Sequence, residues 1–158
     1  MNPYNGYSGR ERDAKLRAFH ARKKQGLPVM DVGPCDICGD PSVPVEPHSE
    51  DYSQPYRWDR PAEYPLCRTC HRDRLHKRFA KPDMWEAHKA HVRRGGYASD
   101  LKDPDIAAEV KAYRVAFQRG ERLVLRQLRP RRSTSGKWWE ELSVDPAILT
   151  SPDARPRP

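Results

Sequence analysis

Apolar residues recur at helical spacing along most of this chain and alternate in one short stretch. The cleanest run is Ile106, Val110, Tyr113 and Phe117, at i, i+4, i+7 and i+11. Asp103-Pro104 precedes it as an N-cap with proline at the first helical position, and Gly120 stops it. A second helix is predicted from Pro82, with Asp83 and Glu86 at its positive end and Trp85, His88 and Val92 on one face, ending at Gly95-Gly96. Leu75 and Phe79 sit four apart and predict one face of a helix over 70–80. Near the start, Ser8 and Glu11 form a capping box, which predicts a helix to about Gln25, stopped by Gly26 and Pro28. Its apolar side is thin, with Leu16, Phe19 and three alanines, and the rest is basic. That basic face reads equally as solvated surface or as a phosphate contact.

Alternation replaces helical spacing after Pro41. Val43, Val45 and Pro47 fall on one side, and Glu46, His48 and Glu50 on the other. The pattern predicts a short strand, and its prolines place it at a sheet edge. Tyr52 to Pro61 reads as loop, and Glu63 to Leu66 as a second short strand entering Cys67. Residues 1–7 carry no periodic pattern and are expected to be loose. Leu123, Val124, Leu125 and Leu128 fit a strand or a short helix. Residues 130–158 read as a flexible Arg/Pro/Trp tail anchored at Trp138-Trp139. The expected fold class is α+β. The segments are a basic N-terminal helix (1–28), a zinc module with its following helix (29–95), a helical extension (96–129) and the tail (130–158).

Composition changes this picture in one respect. Only 36% of the 158 residues are apolar, 33% are charged, and sixteen are proline. A core this thin calls for a staple. Four cysteines in two C-x-x-C pairs, Cys35/Cys38 and Cys67/Cys70, supply one: a tetrahedral thiolate site for Zn²⁺. Such a site contributes on the order of 10 kcal/mol to folding in small metal domains. Gly39, after the first pair, suits the tight turn of a metal knuckle. The longest apolar run is three residues, far short of the ~20 that span a bilayer. No segment resembles an export signal, so a cytoplasmic, reducing location is expected, at or near the nucleoid, with the cysteines as metal ligands rather than disulfides.

The net charge of +8 and a pI near 9.5 point to a polyanionic partner, nucleic acid and in the first place DNA. The basic residues crowd the stretch after the second knuckle: Arg68, Arg72, Arg74, Lys77, Arg78 and Lys81. Such side chains neutralise phosphates, so binding should weaken steeply with salt. No recognition-helix pattern accompanies them, and base-specific reading is not expected.

The order of these motifs is similar to that of the zinc-bearing HNH nucleases, also called ββα-metal or His-Me finger nucleases. The likeness lies in the first C-x-x-C, the run Glu46-Pro-His-Ser-Glu-Asp-Tyr-Ser-Gln-Pro55, and Leu66-Cys-Arg-Thr-Cys-His71. It covers roughly residues 33 to 80. The resemblance implies a ββα-metal module in which four thiolates hold a structural Zn²⁺ and a second, Mg²⁺- or Mn²⁺-type cation serves phosphodiester hydrolysis. It implies catalytic roles for His48 on the first strand and for His71 after the second knuckle.

The family places two adjacent groups on the strand, a ligand and a base, whereas this chain has Pro47-His48-Ser49, and the family's asparagine is absent. Asp51, with Glu46 and Glu50, is a carboxylate near enough to stand in for the missing partner. His76 follows His71 by five residues rather than four. In an α-helix five residues overshoot a full turn by about 140°, so His76 is expected on the surface. The two leading readings are an HNH-like DNA endonuclease and a degenerate relative that binds nucleic acid without cleaving it. A third is a protein-interaction adaptor working through Trp138, Trp139 and the tail.

Overall fold

The computed structural model describes residues 1–125 and 138–142. Helix α1 (Gly9–Lys24) opens with the capping box expected from Ser8 and Glu11: the Ser8 amide donates to the Glu11 carboxylate at 2.8 Å, and the Glu11 amide donates to Ser8 Oγ at 3.3 Å. Gly26, at φ +72°, turns the chain out of the helix. The helix has almost no apolar face, and the residue it buries is Lys15.

Strands β1 (Val45–Ser49) and β2 (Glu63–Cys67) pair antiparallel, with His48 opposite Tyr64 and Ser49 opposite Glu63. The alternation of β1 is as expected, but its polar side does not face water. His48 is 1% exposed, because the chain after β2 folds back across that side.

That returning chain is not the α-helix predicted over 70–80. Thr69–Arg74 forms a π-helical turn, and Leu75–Lys77 a 3₁₀ turn. Leu75 is fully buried while Phe79 is half exposed, so the two do not share a face. Leu75 and the Cys70 thiol both enter the core, and the wider i→i+5 turn, with the Leu75 amide donating to the Cys70 carbonyl, lets both do so.

Helices α2 (Pro82–Arg93) and α3 (Pro104–Gln118) follow the sequence prediction closely, with a 3₁₀ turn (Ala98–Lys102) between them. Trp85, His88 and Val92 are all buried, as expected of one face of α2. His91 is buried too and donates from Nε2 to the Tyr97 carbonyl at 3.0 Å. Gly96 is required there, since a Cβ would lie 2.3 Å from that nitrogen. At the start of α3 the Asp103 carboxylate accepts from the amides of Asp105 (2.9 Å) and Ile106 (3.2 Å). Asp103→Ala is expected to cost about 1 kcal/mol, read as a drop of a few degrees in thermal midpoint.

The core gathers around the four cysteines. Ile37, Leu66, Leu75, Trp85 and Val92 pack on them together with Trp139. Trp138 stacks on Tyr64 with ring centroids 4.2 Å apart, and Trp85 Nε1 donates to the Leu142 carbonyl at 2.9 Å. The expected Trp138-Trp139 anchor is therefore present, while the remainder of the predicted tail lies outside the described residues. A smaller cluster of Ala87, Ile106 and Val110 joins α2 to α3.

Two expectations need correction. Residues 1–7 are ordered into a tight turn: Tyr4 and Tyr7 exchange backbone hydrogen bonds across Asn5 and Gly6, both at positive φ. Asn-Gly is the residue pair that this turn type demands. Leu123 and Val124 belong to no regular element and are exposed, and Leu128 lies outside the described residues. Among the described residues no helix is long and apolar enough to cross a membrane.

Candidate metal centres

Cys35 and Cys38 come from the turn before β1, Cys67 ends β2, and Cys70 sits in the π-helical turn. The four sulfurs lie within 4.8 Å of one another and are buried. Cys38 Sγ and Cys67 Sγ are 3.8 Å apart. A tetrahedron with Zn–S bonds of ~2.3 Å has edges of about 3.8 Å, so the group is able to bind a metal such as zinc. All four thiols are free of disulfides. Burial pushes the Cys70 thiol well above its ordinary value. Four thiolates this close can ionise together only around a cation.

Helix α2 braces this group. His88, fully buried, places Nε2 3.5 Å from Cys70 Sγ, within reach of an N–H···S bond that offsets thiolate charge. His88→Phe is expected to speed metal release about tenfold, measured with a chromogenic chelator, while far-UV circular dichroism stays unchanged. The sequence placed His88 on the packing face of α2 without showing what it packs against.

A second group forms on the other side of β1. Ring nitrogens of His48, His71 and His76 lie within 4.8 Å of one another. The centroids of His71 and His76 are 4.5 Å apart, and those of His48 and His71 4.8 Å. The five-residue spacing that would separate His71 from His76 on an α-helix brings them together here, because the chain between them winds through the wider π-helical turn (i→i+5 hydrogen bonds) and then the 3₁₀ turn that carries His76. His76 is therefore a member of the group and not the surface residue expected.

Two glutamates settle which nitrogens are available. His48 Nε2–H donates to Glu50 at 2.8 Å, leaving Nδ1 with its lone pair, 3.3 Å from His76 Nε2. His71 Nδ1–H donates to Glu46 at 2.7 Å, leaving Nε2 with its lone pair. Carboxylates behind imidazoles in this way fix the tautomer and make the free nitrogen more basic. Burial lowers the pKa of His48, more than offsetting the pull of Glu50. Burial and the neighbouring His48 lower that of His71, and burial with both neighbours takes His76 down to about 3. The three rings are thus neutral near pH 7, the state that ligates metals.

The turn at Tyr4 closes this group from above. The Tyr4 ring stacks on His76 at 4.8 Å, and its hydroxyl accepts from Arg78 at 2.6 Å. Arg12, from α1, lies over both Tyr4 (5.1 Å) and Tyr52 (5.4 Å). The histidines open onto a cavity of about 190 Å³ whose far wall is α1.

The remaining candidate residues scatter. The Asp51 carboxylate accepts from Tyr7 and from Ser53 and does not join the histidines, whose acidic partners are Glu46 and Glu50. Ser49, beside His48, donates its hydroxyl to Glu63. Arg68, Lys77 and Lys81 are exposed, and so is Arg72, which also reaches Glu46 at 2.8 Å. Arg74 is partly buried, and burial lowers its pKa. Arg78 is 2% exposed and spends its guanidinium on Tyr4 and, at 3.7 Å, on Glu50. Compared with known protein families, curated proteins and solved structures, the chain matches none.

Proposed function

We propose that this chain is an HNH-like, metal-dependent nuclease in which the cysteine group holds a structural Zn²⁺ and the histidine group holds the cation of catalysis. The observation that carries this reading is the convergence of His48, His71 and His76 with Glu50 and Glu46 behind two of them. A set of neutral imidazoles in a cleft, two of them aimed by a carboxylate, is the arrangement expected of a working metal site. Three imidazole nitrogens suit Ni²⁺ or Zn²⁺ best; Mn²⁺ binds them more weakly but better than Mg²⁺, the hardest of the four and the most tied to oxygen.

His48 would bind through Nδ1, and His71 and His76 through Nε2. A divalent ion bound there supplies charge to polarise a scissile phosphate. Arg12 lines the same cavity and adds positive charge for the phosphate. With His48 used as a ligand, Glu63 is the carboxylate left at the cavity to accept a proton, and burial raises its pKa despite the opposing contacts of Lys15 and Ser49. The exposed Arg68, Arg72, Lys77 and Lys81 supply long-range attraction to the polyanion.

Ser49 supports a second reading. It stands where an HNH nuclease has its base, and its hydroxyl is committed to Glu63. On that reading the chain binds nucleic acid and does not cut it. The two separate in one assay. Zinc-loaded protein is incubated with plasmid, single-stranded DNA and RNA, each with Mn²⁺, Ni²⁺, Zn²⁺ or Mg²⁺. The nuclease reading expects cleavage with at least one of the first three; no cleavage of any substrate leaves the binding module.

A further inference from the structure

We infer that the cavity beside the histidine group receives one unstacked nucleobase, so that the substrate is single-stranded or locally unpaired nucleic acid. This rests on the proposed reading of the histidines as the place of the scissile phosphate.

The cavity has two kinds of wall. His48, His71 and His76 form one side, and Leu16, Phe19 and Trp58 form much of the other. A phosphate held at the histidines would leave the apolar side facing whatever is joined to that phosphate. In a duplex this is sugar edge and water, because the bases are stacked inside. An unpaired base is flat, apolar on its faces, and one backbone link away. At about 190 Å³ the space is below the ~300–1,000 Å³ that takes drug-sized ligands, and suits a single ring system.

The aromatic groups are held in place for such a role. Phe19 and Trp58 lie 6.4 Å apart with their planes at 42°, and both remain partly exposed. Lys15 Nζ sits 5.3 Å from the Trp58 centroid and Arg22 5.6 Å, which fixes the indole from two positions on α1. Phe19 is left to offer a stacking face at the mouth. Deeper in, Lys15 reaches Glu63 at 2.8 Å and Ser49 bonds the same carboxylate oxygen. These are polar groups of both kinds, suited to the edge of a base.

Tyr52 also lines a second cleft of about 510 Å³, together with Arg10, Arg17 and Tyr56. Basic groups interleaved with aromatic rings are how single strands are tracked without regard to sequence. The basic face of α1, ambiguous in the sequence, thereby gains a specific use.

The test compares three fluorescently labelled probes by anisotropy: a dT 12-mer, an abasic 12-mer of the same backbone, and a duplex 12-mer. Protein loaded with one zinc per chain is used without a second cation, so that nothing is cut. The dT strand is expected to bind at least tenfold more tightly than the abasic strand at equal salt. In Phe19→Leu, which keeps bulk but loses the ring face, that ratio should fall to within about threefold, with zinc content and circular dichroism unchanged. Equal affinity for dT and abasic strands overturns the inference, and so does tightest binding to the duplex. Cleavage is read separately. Base-dependent binding without cleavage keeps the pocket and removes the enzyme; cleavage with base-independent binding does the reverse.

Discussion

Cys67→Ala is expected to abolish cooperative folding of the segment between the two knuckles, and a strong chelator is expected to do the same to the unaltered protein. The four cysteines join three pieces of chain: the turn at Cys35, the end of β2 and the π-helical turn. Ile37, Leu66, Leu75 and Trp85 pack directly around them, so the metal site and the core are one structure. Structural zinc sites are worth on the order of 10 kcal/mol. A whole domain is stable by only ~5–15 kcal/mol, so losing the site removes most or all of the margin. Loss of the thermal transition together with release of one zinc per chain is the expected record. A transition that survives complete zinc removal would show that the apolar core alone sustains the fold.

The second large effect is expected at His71. On the proposed nuclease reading, His71→Ala should reduce metal-dependent cleavage at least a hundredfold while leaving zinc content unchanged and the thermal midpoint within a few degrees. The His71 ring is 12% exposed and stands at the edge of the core, so its loss opens no large internal cavity. Its removal frees Glu46, which stays paired with Arg72 at 2.8 Å and is not left as an isolated charge. The defect then belongs to the histidine group and not to folding. Comparing His71→Ala with Cys67→Ala separates the two centres, since one should lose chemistry with the fold intact and the other should lose both.

Much of the framework was legible in the residues. Capping signals located α1 and α3 because Ser8, Glu11 and Asp103 act on backbone groups within one turn. The paired C-x-x-C spacing located the cysteine group because two such pairs suit the four corners of one tetrahedral site. The stretch after Cys70 was misread for a physical reason. Its apolar spacing fits an α-helix, but the Cys70 thiol and Leu75 must both enter the core, and a π-helical turn accommodates them. That turn, followed by the 3₁₀ turn that carries His76, brings His76 to His71, so the error in secondary structure became an error about the site. The closing turn at Tyr4 had a signal in Asn5-Gly6. The contacts of Lys15 with Glu63 and of Tyr4 with His76 join distant parts of the chain, and no local pattern encodes them.

The central claim is that one small module carries two different metal centres, and elemental stoichiometry tests it most directly. Protein loaded with one zinc per chain is dialysed to equilibrium against Mn²⁺, and bound zinc and manganese are counted per chain by mass spectrometry. One zinc and one manganese are expected in the unaltered protein, with manganese lost and zinc kept in His71→Ala and in His76→Ala. One zinc and no second ion in the unaltered protein, or manganese retained in both variants, would contradict the account.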